Sequence, residues 1–240
     1  MDMRIFATDK DKDIYRYAPP DSNELHEKEI IVTYDGGERE TLFFRTMQGT
    51  ESPTSFGADS REAAGSSNAR NYRCAKIADA IWLAAAMPPL PPAAYILDLG
   101  AGHVTRAART AQGDFALSFG AQEGASDASR KHELTTDLNE NTVEWTFGIT
   151  ESSVISESFG GGTVELTRPY APEAAKLSAS GFRAVKITDT IFLQTAAVTS
   201  GKTVKSVCLL SDFCHVLCIG CIFDPEGAVQ IIGGHGKYTH

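Results

Sequence analysis

The sequence predicts an all-β protein made of two similar antiparallel β-barrels. Apolar and polar residues alternate over most of the chain, and sustained helical periodicity is missing. An internal repeat aligns residues 72–86 (YRCAKIADAIWLAAA) without a gap on residues 182–196 (FRAVKITDTIFLQTA), and seven of the fifteen pairs are identical. Two copies of a meander of short strands are typical of paired barrels or of two halves of one assembly.

Short alternating stretches predict the strands in chain order. Residues 28–45 predict a hairpin that turns at 35–37, and residues 132–148 predict another that turns at 138–141. Further strands are expected at 71–77, 80–86, 93–99, 103–108, 114–119, 162–169, 181–187, 190–196, 203–210 and 213–222. Residues 60–71 and 172–178 are expected to be briefly helical or irregular, and the glycine-rich run at 233–236 to be a flexible turn. A join near 111–113 divides the chain into repeats at 1–112 and 113–240.

Composition narrows the class of protein. The 240-residue chain has 42% apolar and 22% charged residues, a composition typical of globular proteins. Its net charge of −9 disfavours binding to nucleic acid or to anionic membranes. The sequence contains no apolar run long enough for a membrane span and no signal-peptide core, so a cytoplasmic protein is expected. The cysteine-rich segment VCLLSDFCHVLCIGCIF favours buried thiols over a zinc or redox site. No metal and no cofactor is expected.

The repeated hairpins resemble a known family. YRCAKIADAIWLAAA followed by ILDL, and FRAVKITDTIFLQTA followed by VCLLSD, are similar to the MoaF family, whose members have a calycin (lipocalin-like) barrel. In that family a Y-x-x-x-x-I-x-D-x-I-aromatic hairpin precedes a strand that ends in an acidic residue. KDIYRYAPPDSNELHEKEI resembles the opening of the family's second domain and NENTVEWTFG part of its first, which indicates an altered domain order. The resemblance implies a fold and a pocket but no particular activity.

A glycine-rich motif provides a competing interpretation. Residues 95–106, YILDLGAGHVTR, resemble the first motif of S-adenosylmethionine-dependent methyltransferases, in which Asp98, Gly100 and Gly102 would approach the cofactor. That fold needs long helices between parallel strands, which the sequence does not predict. The position of the motif's third glycine is occupied by Val104, and the equivalent segment of the second copy, LLSDFCHV, has no such glycines. The methyltransferase therefore remains the minor alternative.

A small barrel can enclose one small ligand. Polar residues that lie among the apolar residues of the strands are therefore the candidates for lining a ligand pocket. His103 and His215 are expected to occupy the same position of the two copies and to transfer a proton. Arg73 and Arg183, also repeat-equivalent, would bind a carboxylate or enolate if they point inward, and Glu144 would share the proton transfer. Residues expected to bind substrate are Arg45, Tyr72, Trp82, His132 and Trp145. For each, an outward or purely structural position remains the alternative.

Two classes of function follow. The first is a cofactor-free isomerase, cyclase or lyase that moves a proton on a hydrophobic or aromatic biosynthetic intermediate held in the barrel. The second is a non-catalytic small-molecule carrier or accessory protein. Buried titratable groups beside the ligand would favour the enzyme, and a purely apolar pocket would favour the carrier. The expected partner is a small hydrophobic or aromatic molecule, and a homodimer is a further possibility.

Overall fold

The chain is all-β over the residues that the computed structural model describes, which are 22, 24–45, 70–125, 131–138, 142–146, 154–160, 163–167, 178–200 and 203–238. The strands are β1 (Glu29–Tyr34), β2 (Arg39–Arg45), β3 (Arg70–Ala78), β4 (Ile81–Ala86), β5 (Ala93–Asp98), β6 (His103–Arg109), β7 (Phe115–Gln122), β8 (Glu133–Thr135), β9 (Thr142–Thr146), β10 (Val154–Gly160), β11 (Thr163–Thr167), β12 (Ser178–Lys186), β13 (Ile191–Ser200), β14 (Thr203–Asp212), β15 (Leu217–Phe223) and β16 (Val229–Tyr238). Over the same residues no helix is long and apolar enough to cross a membrane.

Strands β1 to β7 form a closed barrel in chain order. Every neighbouring pair is antiparallel except β2 and β3, which are joined by a short parallel ladder that aligns Phe44 with Arg70. The ring is completed where β1 pairs with β7 and Tyr34 lies opposite Gly120. The first predicted hairpin is confirmed as β1 and β2, with Glu29 opposite Phe43.

Strands β8 to β16 form a second, nine-stranded sheet in the order β11-β10-β9-β16-β15-β14-β13-β12-β8. This sheet curls, so that β11 comes back close to β12. Strands β9, β10 and β12 to β16 pair as β1 to β7 do, except that β10 pairs with β11 where β2 pairs with β3; β8 and β11 are additions. The prediction of two barrel-like repeats is confirmed.

An ion pair at the same place in each half supports the repeat. Lys76 on β3 contacts Glu24 at 2.9 Å, and its repeat equivalent Lys186 on β12 contacts Asp137 at 3.1 Å. In each half the acidic partner precedes a buried leucine, Leu25 or Leu138. The two copies therefore share tertiary contacts as well as sequence.

The outer faces of the barrel and the second sheet pack against each other in one apolar cluster, here called the shared core. Leu83 and Ile96 enter it from the barrel, and Leu193 and Leu210 enter it from the second sheet, all fully buried. Every residue of β4 and β5 is buried, because one face of each strand lines the barrel interior and the other faces the shared core. A strand covered on both faces has no need of polar alternation, which explains the apolar run IWLAAA.

Polar groups also tie the two halves together. Arg109, at the end of β6, donates a hydrogen bond from Nε to Ser206 Oγ at 2.7 Å, and Ser206 donates to the carbonyl of Gly113 at 2.6 Å. A Cβ on Gly113 would lie 2.9 Å from a methyl of Val204, so only glycine fits there without a shift. This β6–β7 turn is therefore shaped by the second sheet.

Several sequence-based expectations need correction. Residues 132–148 are not a hairpin, since β8 pairs with β12 while β9 pairs with β16 and β10. The run at 233–236 lies within β16, where Gly236 leaves room for the ring of Trp145. The chain passes to the second sheet between Gln122 and Glu133, downstream of the predicted join, because β7 completes the barrel. Strand β10 was not predicted, and the irregular segments expected at 60–69 and 172–177 lie outside the described residues.

Candidate functional site

A cavity of about 310 Å³ lies at one end of the barrel, around the start of β2 and β5 and the middle of β6. Its polar wall consists of Glu38, Arg39, Glu40, Thr41, Tyr95 and Arg106. Small or apolar side chains from β4, β5, β6 and the β4–β5 loop line the rest. This volume is at the low end of the range of about 300–1,000 Å³ for small-molecule pockets.

Glu40 is a buried carboxylate that points into the barrel. On β2 it alternates with the buried Leu42 and Phe44, and it is only 9% exposed. Two tyrosines satisfy it: Tyr34 donates to Oε2 at 2.9 Å, and Tyr95 donates to Oε1 at 3.1 Å. A carboxylate stays in such a place only when it is hydrogen-bonded or paired, and the phenols on β1 and β5 meet part of that need.

Arg106 supplies the positive charge. It lies directly opposite Tyr95 in register, and its Nη1 is 3.4 Å from Glu40 Oε2. Its two Nη atoms also make a bidentate contact with Glu38, both at 2.8 Å. This hydrogen bonding, above all to Glu38, raises the pKa of Arg106 above its already high value, although partial burial opposes the shift.

Tyr34 is fixed beneath Arg106. The guanidinium carbon lies 4.5 Å from the centroid of the Tyr34 ring, in cation–π geometry. Burial, with the charge of Glu40 second, raises the pKa of Tyr34 well above its usual 10.0, so the phenol is a donor at neutral pH. A Cβ on Gly120 would lie 2.9 Å from this ring and 2.8 Å from the carbonyl of Thr33, so the glycine makes room for the tyrosine.

The positions of Tyr95 and Arg106 have no polar side chain in the second half. The pair Tyr95–Arg106 on β5 and β6 corresponds to Leu209–Gly220 on β14 and β15, which are also register partners. A Cβ on Gly220 would lie 2.5 Å from a methyl of Leu209, so the leucine fills the space over the glycine. A leucine and a glycine cannot hold a carboxylate.

Glu40 also has no counterpart in the second half. Glu40 pairs with Val32 across β1 and β2, and the equivalent pair across β9 and β10 is Ile155 with Trp145. The indole of Trp145 is fully buried in the interior of the second half, with Phe213 at 6.1 Å between ring centroids. The polar cluster around Glu40 is therefore found in the barrel and not at the equivalent positions of the second sheet.

His103 and His215 are not equivalent, contrary to the prediction. His103 opposes Asp98 across the β5–β6 turn, whereas the residue that opposes Asp212 across the β14–β15 turn is Leu217. His215 lies inside that turn, 70% exposed, with its Nδ1 2.6 Å from Asp212 Oδ2. Each histidine is followed by a valine in the sequence, but the two histidines differ by two positions in strand register.

The glycine-rich motif is a tight turn between antiparallel strands. Asp98 Oδ1 accepts hydrogen bonds from two backbone N–H groups of the turn at 3.1 and 2.9 Å, and Asp212 Oδ1 does the same in the second half at 2.9 and 3.3 Å. Gly102 has a φ of +75° and its equivalent Val216 a φ of +52°, so the turn requires a left-handed residue in both copies. The turn thus accounts for Gly102 of the sequence that resembled a methyltransferase motif.

The predicted charged residues lie on outward faces. Arg73 is on the face of β3 opposite the inward Tyr72, Arg183 is exposed on β12, and Glu144 alternates with the inward Trp145 and contacts Lys237 at 2.8 Å. None of the three points into the barrel cavity. The side chain of Arg45 is outside the described part of the chain.

The predicted aromatic residues are separated between the halves. Tyr72 and Trp82 are buried inside the barrel, and the Tyr72 ring lies 5.7 Å from that of Tyr95. Trp145 belongs to the interior of the second half. His132 packs on His103 outside the barrel, where burial and then the neighbouring histidine lower its pKa to about 4.

Sequence reasoning missed the residues that form the site. Glu40 stands at an inward position in alternation with Leu42 and Phe44, and Arg106 stands between the inward Val104 and Ala108. A charged residue in register with the apolar face of a strand is the signal that identifies both.

No known family model and no curated protein matches the chain. The resemblance to the MoaF family therefore stays a prediction.

Proposed function

We propose that the protein is a cytoplasmic, MoaF-like calycin protein that acts as a cofactor-free isomerase, cyclase or lyase. In this proposal Glu40 moves a proton on a small molecule held in the barrel cavity. The observation that supports it is a buried carboxylate on the cavity wall, held by Tyr34 and Tyr95 and balanced by Arg106. Positioned carboxylates in water-poor sites are typical of proton-transfer catalysis.

The side chain of Glu40 borders the cavity, where Tyr95 donates to Oε1 and both Tyr34 and Arg106 donate to Oε2. In an isomerisation, Glu40 removes a proton from one substrate atom and the carboxylic acid returns it to another, so that no external acid or oxidant is consumed.

The charges around the cavity favour a neutral substrate. Arg106 is engaged by Glu38 and Glu40, and Arg39 contacts Glu123 at 2.8 Å. The fork of Arg106 is therefore occupied and does not serve as a clamp for a substrate carboxylate. The apolar part of the wall suits a short aliphatic or aromatic body with one polar group facing Glu40.

The alternative is a non-catalytic carrier, and the saturation of Arg106 favours it. A cluster in which each charge already has its partner can orient a ligand hydroxyl without changing it. The two functions differ in whether the bound molecule is recovered unchanged.

The test uses Glu40→Gln, with the exposed Glu29→Gln on the neighbouring strand as matched control. The full chain is incubated with a panel of neutral enolisable and phenolic compounds, and both bound species and products are identified by mass spectrometry. Turnover that is lost in Glu40→Gln and kept in the control supports the enzyme. Binding with unchanged ligand in all three proteins overturns the enzyme and supports the carrier, and a panel that neither binds nor reacts overturns the proposed ligand class.

A further inference from the structure

Two buried histidines meet on the outside of the barrel, on the face of β6 opposite the cavity. His103 is on β6 itself, and His132 lies just before β8, in the segment that leads to the second sheet. Each is only 4% exposed, and their ring centroids are 5.7 Å apart. The neighbours Val104 and Arg106 point inward, so this pair is separate from the barrel cavity.

Both rings leave a nitrogen unsatisfied. The Nε2 atoms of His103 and His132 are buried and have no hydrogen-bond partner within the described residues. Buried polar atoms are nearly always paired, and these two unpaired nitrogens lie on adjacent rings. One electron-pair acceptor placed between the two rings would satisfy both nitrogen atoms.

A neighbouring hydroxyl contacts the other ring nitrogen of His132. Its Nδ1 lies 2.7 Å from Thr105 Oγ1. If Nδ1–H donates to that hydroxyl, the Nε2 lone pair is left unprotonated and directed away from Thr105. Histidines that bind metals usually have this arrangement, in which the second ring nitrogen donates to an oxygen that orients the ring.

We propose that His103 and His132 together bind one late first-row divalent cation, such as Zn²⁺, through their Nε2 atoms. Zn–N bonds of about 2.0–2.1 Å place the centroids of two imidazoles on one ion about 5–6 Å apart. The observed 5.7 Å lies within that range. The described part of the chain has no group of three or more His, Cys, Asp or Glu side chains that could hold a metal, so the two imidazoles are the ligands that these residues supply.

Such an ion would fasten the connecting segment to the barrel. His103 and His132 are 29 positions apart in sequence, which is why no local spacing reveals the pair. The position equivalent to His103 in the second half is Leu217, so the pair is not repeated there. Binding to the folded state would stabilise the junction between the two halves.

The experiment is isothermal titration of the untagged, chelator-treated full chain with Zn²⁺. We expect one ion per chain, bound at least tenfold more weakly in His103→Phe and in His132→Gln. The exposed His215→Gln is the matched control and should bind as the parent does. Thr105→Val, which keeps the shape of the side chain, should weaken binding several-fold because His132 loses its orienting oxygen.

A second measurement uses the parent protein alone, so its result does not depend on whether a variant folds. Electron paramagnetic resonance of the parent with one equivalent of Cu²⁺ should show hyperfine coupling to two nitrogens. Absence of binding, binding that persists in both histidine variants, or binding lost in His215→Gln would each overturn the proposal. None of these outcomes bears on Glu40, which lies inside the barrel.

Discussion

Phe115 on β7 and Phe223 on β15 meet edge to face across the shared core, with ring centroids 6.1 Å apart and an interplanar angle of 63°. One belongs to the barrel and the other to the second sheet, and both are buried. Each replacement by leucine should cost about 1–2 kcal/mol of the free energy of unfolding, in the range of single core substitutions. An edge-to-face pair adds about 0.5–1.5 kcal/mol beyond burial, so the double-mutant cycle should show a coupling of that size.

The assay is urea unfolding followed by tryptophan fluorescence. Each half has one buried tryptophan, Trp82 in the barrel and Trp145 in the second sheet, and the chain has two in total. Replacing either with phenylalanine leaves the other as a reporter of its own half. Because the halves share a core, both reporters should show the same transition. Separate midpoints, or a coupling of zero between Phe115 and Phe223, would refute a cooperative shared core.

Other predictions concern the site and the repeated ion pairs. At pH values below 10.0, the usual pKa of tyrosine, the raised pKa of Tyr34 contributes fully to the stability of the folded protein, and this contribution is lost as the pH rises above 10.0. Tyr34→Phe should therefore lose less stability than the parent between about pH 9 and 11 in urea titrations. Gly120→Ala should displace the Tyr34 ring and lower stability by about 1–3 kcal/mol, measured by thermal unfolding, and an unchanged melting temperature would contradict it. Lys76→Met and Lys186→Met should each change stability by less than about 1 kcal/mol, since these surface ion pairs are partly exposed; a large loss in either would show a buried role.

The sequence was informative about strands and about duplication. Alternation located most strands, and the aligned segments 72–86 and 182–196 proved to be the equivalent hairpins β3–β4 and β12–β13. Local pattern could not decide which strands pair, so residues 132–148 were misread as a hairpin although β8 and β9 join different neighbours. Pairing over a long sequence separation depends on how the whole sheet closes.

The site was harder to predict than the fold. The choice of His103, His215, Arg73 and Arg183 rested on their recurrence in both copies, but recurrence marks what the two copies share. Glu40 and Arg106 are in the barrel alone, because their equivalents are Ile155 and Gly220. The direction of a side chain relative to the barrel axis, which follows from register, was the missing information.

The shared core gives this chain the arrangement of a dimer whose two subunits have been joined end to end. In a symmetric dimer of identical chains every substitution occurs twice, so a change that fills one interior fills the other. Joining the copies removes that constraint: Trp145 lies against Gly236 in one interior, and Glu40 lies beside a cavity in the other. The two interiors can then diverge independently while the shared core holds the halves together.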